Sequence, residues 1–582
     1  MTQTAYDKYP EITVSGFENQ ACQGWDNIVA ALSAKRPGPG KTVLVIDCYP
    51  GVRLAELETQ LLPRLAPQLT INVETARLDE QHLHTLLARN LTDDRVFGVL
   101  SCHQLTEFFS PQRLAQLRHD VDGVEQGLVV IYGPGAALVH PGDVLVYADL
   151  ARWEIQQRMR SGELGNWGVE NQHEDMLRRY KRAFFIEWRV FDRHKTPLLK
   201  RADFVLDTTR QDHPNMVSGD GLRAGLAQAT RQPFRVVPFF DPGVWGGQWM
   251  KQRFDLDPSA ANYAWCFDCV PEENSLFLRF GAVRIEIPSQ DLVLLQPRQL
   301  LGEKVHARFG AEFPIRFDFL DTMDGQNLSF QVHPLTEYIQ QQFGMHYTQD
   351  ESYYILDAEP GAVVYLGTHT GTQPQAMLDD LYAAQRGEKP FDDQRFVNQI
   401  PARKHDHFLI PAGTVHCSGK GTMVLEISAT PYIFTFKLWD WGRLGLDGLP
   451  RPVHLEHGAQ VIDWQRDTRW VEKHLVNRIE PVASGHGWRE ERTGLHEREF
   501  IETRRHWFSV PVTHHTHGGV NVLNLVEGAE ALVDSPTGAF EPYVVHYAET
   551  FIVPAAVGEY RISPWGESIG QTLATVKAWV RG

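Results

Sequence analysis

A parallel α/β domain followed by two β-sandwich or β-barrel domains is the fold class this sequence predicts, and three observations predict it. Up to about residue 230, continuous apolar runs rich in β-branched residues alternate with helical stretches, the pattern of a mainly parallel sheet covered on both faces. From about Arg235 the texture changes to short period-two strands between Gly, Pro and Asp turns, as in Val283, Ile285 and Ile287 with Arg284 and Glu286 between them. Such strands mark a sandwich or barrel. A second block of the same texture runs from about Arg451 onward. A chain of 582 residues exceeds what one core organises, and the expected domains are 1–232, 233–450 and 451–582.

Composition narrows the function classes. With 56 basic against 73 acidic residues the net charge is −17, which disfavours a nucleic-acid or anionic-membrane surface and favours small-molecule chemistry. No apolar run approaches a membrane span, and "MTQTAYDKYPEITVSG" lacks the regions of a signal peptide, so a cytoplasmic protein is expected. The six cysteines are scattered, as reduced thiols are. Cys266 and Cys269 form a lone CxxC whose plainest reading is a packed strand.

In the first domain the expected strands are "TVLVID", "VFGVLS", "GLVVIYG", "DVLVYADL" and "ADFVLD". Met176, Tyr180, Phe184 and Trp188 recur every four residues and predict the buried stripe of a long helix over 172–194. Gly38, Gly40, Lys41 and Thr42 imitate a phosphate-binding loop but precede their strand instead of following it. After the strand the chain reads Asp47-Cys48-Tyr49-Pro50-Gly51-Val52-Arg53, with no Lys-Ser/Thr, and Pro50 removes an amide donor. The order "DVLVYADLARWEIQQRMRSGELGNWG" then "RRYKRAFFIEWRVFDRHKTPLLKRADFVLDTT" nevertheless resembles the uridine-kinase-like P-loop family. A degenerate P-loop-like domain serving structure, docking or regulation is expected; nucleotide phosphorylation and residual ligand binding, with Arg158 and Arg160 on phosphates, are the alternatives.

The second domain carries the chemistry. In "NLSFQVHPLTEY" strand alternation places Gln331 and His333 on one face and Leu328, Phe330 and Val332 on the other. Glu351 opens the strand of "DESYYILDAEPGAVVYLG", and His416 follows a Pro-Ala-Gly turn in "FLIPAGTVHCSGKGTMVLEIS". Two imidazoles, a carboxylate and an amide oxygen make a plausible zinc set with an open position.

These segments, in the order "FPIRFDFLDTMDGQNLSFQVHPLTEY", "ESYYILDAEPGAVVYLG", "HDHFLIPAGTVHCSGKGTMVLEIS" and "FTFKLWDWGRLGLDGLPRPVHLEHG", with "VWGG" upstream, closely resemble class I mannose-6-phosphate isomerases of the cupin fold. The resemblance runs through about residues 235–582. It implies two cupin-type domains, one Zn²⁺ per chain on Gln331, His333, Glu351 and His416, and interconversion of mannose 6-phosphate and fructose 6-phosphate. It further implies an acid/base or substrate-hydroxyl role for Glu426 and a sugar-facing wall at Trp245. Where the family usually carries lysine, lysine and arginine, this chain has Asp318, Gln349 and Lys437; Asp318 and Gln349 are taken as substrate-side positions and Lys437 as catalytic. An aspartate near a sugar-phosphate dianion adds repulsion, so a non-phosphorylated sugar is an alternative substrate, with Arg316, Arg403, Lys404 and Lys420 as replacement cations. A non-catalytic sugar- or nucleotide-sensing protein is the rival reading, and an Fe²⁺ cupin oxygenase a third. In the last domain His515 and His517 have metal-like spacing, but no glutamate follows four or five residues later and Gly558 stands at the second histidine's place; a structural half-barrel is expected there. The partner is a small sugar or sugar phosphate, and the oligomeric state is not encoded in these motifs.

Overall fold

The computed structural model describes residues 5–36, 38, 40–494 and 496–582; Pro39, inside the Gly-Pro-Gly-Lys-Thr stretch, lies outside them. The chain forms two compact units. One comprises Glu11–Ala229 and Pro271–Gln296; the other comprises Thr230–Val270 and Pro297–Gly582, with the residues leading to Pro10. Residues 271–296 thus pack away from the 233–450 stretch in which the sequence reading placed them. Their hairpin, Ser275–Phe280 with Val283–Pro288, buries Leu276, Leu278, Ile285 and Ile287 and pairs in parallel with Glu11–Thr13.

In the first unit five parallel strands, β1 (Lys41–Cys48), β2 (Leu69–Asn72), β3 (Gly127–Gly133), β4 (Val144–Asp149) and β5 (Phe204–Asp207), run in the order β2-β3-β1-β4-β5. Two antiparallel strands, Asn215–Ser218 and Ala21–Gln23, extend the β5 edge. β1 and β4 are buried along almost their whole length, as the unbroken apolar runs require. The expected strand "VFGVLS" is not one. Its Val99 N–H donates to the Asn90 carbonyl at 2.8 Å and its Ser101 N–H to Phe185 O at 2.8 Å, so carbonyls of two helices, one at a helix end and one in a π-turn, take the donors a sheet would have used. Phe185 lies in the π-turn Ala183–Glu187 that joins Met176–Arg182 to Trp188–Leu199. The striped helix therefore starts at Met176, where Asp175 accepts from the Leu177 N–H, and ends at Leu199 rather than near 194.

The crevice at the carboxyl ends of β1 and β4, where doubly wound sheets bind ligands, is filled by ion pairs. Lys195 Nζ lies 3.1 Å from Asp149 and 2.6 Å from Asp291, and Arg152 pairs with Asp192 and, at 2.7 Å, with Glu272. Arg158, offered above as a phosphate ligand, is buried and donates to the carbonyls of Gly51, Thr208 and Thr209 at 2.7–3.0 Å. It braces the backbone where a phosphate loop would lie. Losing one partner of such a buried pair costs about 3–5 kcal/mol, so these charges are a fixed part of the fold.

The second unit is a stack of antiparallel sheets. The strands that carry the candidate site are β6 (Ile315–Asp321), β7 (Phe330–Val332), β8 (Asp350–Ala358), β9 (His416–Ser418), β10 (Thr422–Ala429) and β11 (Phe436–Trp439). β8, β10 and β6 are consecutive in a six-stranded sheet, and β9, β7 and β11 in a five-stranded one. Beyond residue 480 a six-stranded and a four-stranded sheet enclose a further core built on Phe508, Leu523, Val533, Phe551 and Tyr560. Among the described residues no helix is long and apolar enough to cross a membrane.

His407 shows how tightly this unit is closed. Its ring is fully buried, neither nitrogen has a hydrogen-bond partner among the described residues, and a Cβ on Gly494 would lie 2.5 Å from its Cε1. Burial, with Arg505 adding repulsion, pushes its pKa down to about 3. Between pH 6.5 and that value the unfolded chain takes up a proton the folded chain refuses, so stability falls as pH falls. From pH 6.5 to 4.5 the loss is roughly 2–3 kcal/mol. In urea titrations at both pH values His407→Leu should lose correspondingly less than the parent, and equal losses would refute the assignment.

Candidate metal centre

Strand register assembles the site. On β7 Gln331 stands opposite His416 of β9 on one side and Lys437 of β11 on the other, so three polar side chains share one sheet face. In the facing sheet Glu426 of β10 lies between Asp318 of β6 and Tyr353 of β8, and Ser428 lies between Arg316 and Glu351. Period-two alternation puts Glu426 and Ser428 on the same face. His333 follows β7 directly.

The ligand atoms of His333, Glu351 and His416 all lie within 4.8 Å of one another. His416 Nε2 is 2.8 Å from Glu351 Oε1, and His333 Nε2 is 3.2 Å from Oε2. The far nitrogens are committed elsewhere: His333 Nδ1 donates to the Phe434 carbonyl at 2.8 Å and His416 Nδ1 to the Thr414 carbonyl at 2.9 Å. Those bonds fix the tautomer and aim both Nε2 lone pairs inward, the arrangement metal-ligating histidines use. Gln331 adjoins the cluster, with its carboxamide Nε2 3.2 Å from His416 Nε2; a half-turn of the amide would present Oε1 there instead. All three cluster residues are essentially inaccessible.

Electrostatics agree with a cation site. Burial raises the Glu351 pKa, but His333 and His416 outweigh it and hold the carboxyl well below its usual range. Burial disfavours the His333 imidazolium, and Glu351 overcomes that too, so its pKa is raised. Borderline nitrogen donors, an ionised carboxylate and a carboxamide, with buried Nε2 and Oε1 atoms left without hydrogen-bond partners among the described residues, fit a zinc ion in chemistry.

The other expected residues fall into distinct roles. Glu426 is buried beside the cluster; its Oε1 accepts from Ser428 Oγ at 2.8 Å and Gln349 Nε2 at 3.1 Å. Burial, then the carboxylates of Glu351 and Asp318, push its pKa well up. Gln349 is a brace: its Oε1 accepts from the Phe434 N–H at 2.9 Å, which turns its Nε2 towards Glu351 at 2.9 Å. Lys437 is half-buried, and burial, followed by repulsion from Arg451, pushes its pKa down to about 7. Asp318 faces the site, with Arg316 Nη2 at 3.8 Å. Trp245 is a fully buried core residue packed edge-to-face on Trp265 at 4.6 Å, and its carbonyl accepts from the Gln326 N–H at 3.0 Å in the loop before β7.

Of the replacement cations, Arg316 alone is buried; Arg403, Lys404 and Lys420 are exposed, and Lys404 pairs with Glu527. His515 and His517 are exposed with ring centroids 4.7 Å apart. Sequence reasoning missed Ser428, although its two-residue spacing from Glu426 on one strand signals a shared face. It also missed Asp350, which accepts from the Ala412 N–H at 2.7 Å, and Arg466, which donates to the Pro411 carbonyl at 3.0 Å; both clamp the turn that presents His416.

Comparisons with known proteins divide the chain in two. A family model described as a domain of unknown function, DUF8485, matches residues 24–231. Mannose-6-phosphate isomerase ManA of Bacillus subtilis (strain 168) is 24% identical over 343 residues, covering 58% of this chain and 98% of that protein. Mannose-6-phosphate isomerase of Streptococcus mutans serotype c is 27% identical over 221 residues, 38% of this chain; the match spans 64% of that relative's length. The crystal structure of the Bacillus subtilis mannose 6-phosphate isomerase superposes with a TM-score of 0.48 at 18% identity, over 60% of this chain and 99% of that one. The chain is thus homologous to mannose-6-phosphate isomerases over more than half its length.

Elemental analysis of the purified protein by mass spectrometry should find about one divalent ion per chain. His333→Ala and His416→Ala should each lower that content at least tenfold, whereas His515→Ala should leave it unchanged. Metal that survives loss of both His333 and His416 would rule out this centre.

Proposed function

We propose that the second unit is a zinc-dependent aldose–ketose isomerase, interconverting mannose 6-phosphate and fructose 6-phosphate, with Gln331, His333, Glu351 and His416 as the metal ligands. The observation that carries the reading is the His333–Glu351–His416 cluster, its nitrogens preset by backbone carbonyls, in a chain collinear with 98% of Bacillus subtilis ManA. A bound zinc ion supplies Lewis acidity towards the sugar's oxygens.

The chain's own groups supply the rest. With Oε1 held by Ser428 and Gln349, Glu426 presents Oε2 to the sugar, and a carboxyl whose pKa is raised by burial, Glu351 and Asp318 is, in its ionised form, a strengthened base that can take the proton from C2 of the open-chain sugar and return it to C1. Lys437, with a pKa of about 7, is the second group able to exchange a proton at neutral pH. Gln349 and Ser428 orient Glu426 and Glu351; Trp245 acts through the backbone, bracing the Gln331 loop. Asp318 favours a second reading in which the substrate is a neutral sugar. The first unit takes no part in phosphoryl transfer: the crevice is closed by the Lys195 and Arg152 ion pairs, which supports a degenerate kinase-like domain. Division into domains 1–232, 233–450 and 451–582, with residues 271–296 counted in the first, and a cytoplasmic location belong to the same proposal.

Kinetics on mannose 6-phosphate and on free mannose decide the substrate. Asp318→Asn removes a carboxylate without placing a second cation beside Arg316. At an effective dielectric of about 20, a like charge ~6 Å away costs roughly 2–3 kcal/mol before screening. The substitution should therefore raise kcat/KM for mannose 6-phosphate several-fold relative to that for free mannose, because its effect on Glu426 is common to both substrates. A parent enzyme that turns over mannose 6-phosphate efficiently and loses that activity with Asp318→Asn would make Asp318 a working group and overturn the charge argument.

A further inference from the structure

The first unit holds a cavity of about 330 Å³ that nothing above uses. Asp207, Arg210, Asn215, Arg279, Arg284 and Glu286 line it, a size within the range of small-molecule sites. Asp207 ends β5, so the cavity opens at the carboxyl end of a sheet strand, and the hairpin of residues 275–288 supplies Arg279, Arg284 and Glu286 from the other side.

Its acceptors are built in. The Glu286 N–H donates to Asp207 Oδ2 at 2.9 Å and the Thr209 N–H to Oδ1 at 3.0 Å, while Ser275 Oγ donates to Glu286 Oε1 at 2.5 Å. Trp153 Nε1 in turn donates to Ser275 Oγ at 2.8 Å. The two carboxyls are 5% and 8% exposed. Burial raises both pKa values, and Asp207 helps push Glu286 to about 7. Asn215 donates through Nδ2 to the Arg284 carbonyl at 3.2 Å, and its Oδ1 has no hydrogen-bond partner among the described residues.

The donors are equally placed. Glu11 neutralises Arg279 through contacts of 2.6–3.1 Å. Arg284 makes no ion pair among the described residues and is steadied by Phe277, with its guanidinium carbon 4.2 Å from the ring centroid. Arg210 is exposed and makes no side-chain hydrogen bond among the described residues. Arg210 and Arg284 thus line the cavity together with the two carboxyls, and Arg210 interacts with Glu286 through its charge. The arginines' planar forks bind phosphate oxygens bidentately, and two guanidiniums match the charge of a phosphate monoester dianion. A carboxyl pair and a free amide oxygen suit hydroxyl donors.

We propose that this cavity binds a phosphate monoester of a polyol, with Arg210 and Arg284 on the phosphate and Asp207, Glu286 and Asn215 on the hydroxyls. A hexose phosphate and a nucleoside monophosphate share that chemistry. The site is independent of the metal centre and survives if the isomerase reading fails.

Calorimetric titration of the metal-loaded full chain tests it, with glucose 6-phosphate, adenosine 5′-monophosphate, free glucose and inorganic phosphate as separate probes. His416→Ala disables the metal centre and leaves only the cavity to report. In that variant one of the two esters should bind with one site per chain, free glucose should not bind, and inorganic phosphate should bind more weakly than the ester. Arg210→Ala, at an exposed position, and Arg284→Lys, which keeps its packing on Phe277, should each weaken the ester about tenfold or more. Absence of ester binding in His416→Ala, or binding that both arginine variants leave intact, would overturn the proposal. So would inorganic phosphate binding as tightly as either ester. Ester binding that disappears with His416→Ala but persists in Arg210→Ala would uphold the metal-centre reading and sink this one; the opposite pattern would do the reverse.

Discussion

Glu351 is ionised, almost wholly buried and flanked by two imidazoles, and the architecture of the second unit answers to that one carboxylate. A lone buried anion is costly. Contacts of 2.8 and 3.2 Å to imidazolium Nε2–H groups offset the cost, and a cation can take the place of those protons if the other ring nitrogen of each histidine is held as a donor. The Phe434 and Thr414 carbonyls do that, and each is placed by a loop with its own clamp: Gln349 on the Phe434 N–H, and Asp350 with Arg466 on the turn before His416. A cation at the centre of the cluster converts this arrangement from a compensated charge into a ligand set. After burial itself, the same carboxylate raises the pKa of Glu426.

Much of this was legible in the sequence. Period two fixed which side chains accompany Gln331, and the Pro-Ala-Gly turn marked His416 as a residue presented from a loop. Residues that act through backbone carbonyls, such as Phe434 and Thr414, leave no side-chain signature. Arg316 carried too little signal to be separated from Arg403, Lys404 and Lys420, because burial depends on the neighbouring strand. "VFGVLS" has strand composition but spends its N–H groups on helix carbonyls, a long-range choice that apolar content cannot report. The return of residues 271–296 to the first unit was invisible for the same reason: a hairpin's alternation says that it buries one face, not against which partner.

The first unit shows what becomes of a sheet-end crevice without a phosphate loop. Arg152, Lys195 and Arg158, the kinds of residue that elsewhere grip phosphates, are spent on Asp192, Asp149, Asp291 and backbone carbonyls. Beside β5, Arg210 and Arg284 line the cavity that the hairpin leaves. One sheet therefore holds a closed crevice and an open one.

The most direct test of the account is anomalous diffraction from crystals of the zinc-loaded protein, recorded on either side of the zinc absorption edge. A single ion is predicted, about 2.0–2.2 Å from His333 Nε2, His416 Nε2, a Glu351 carboxylate oxygen and the Gln331 carboxamide oxygen. A zinc signal located elsewhere, or an ion that leaves His333 and His416 unligated, would contradict it.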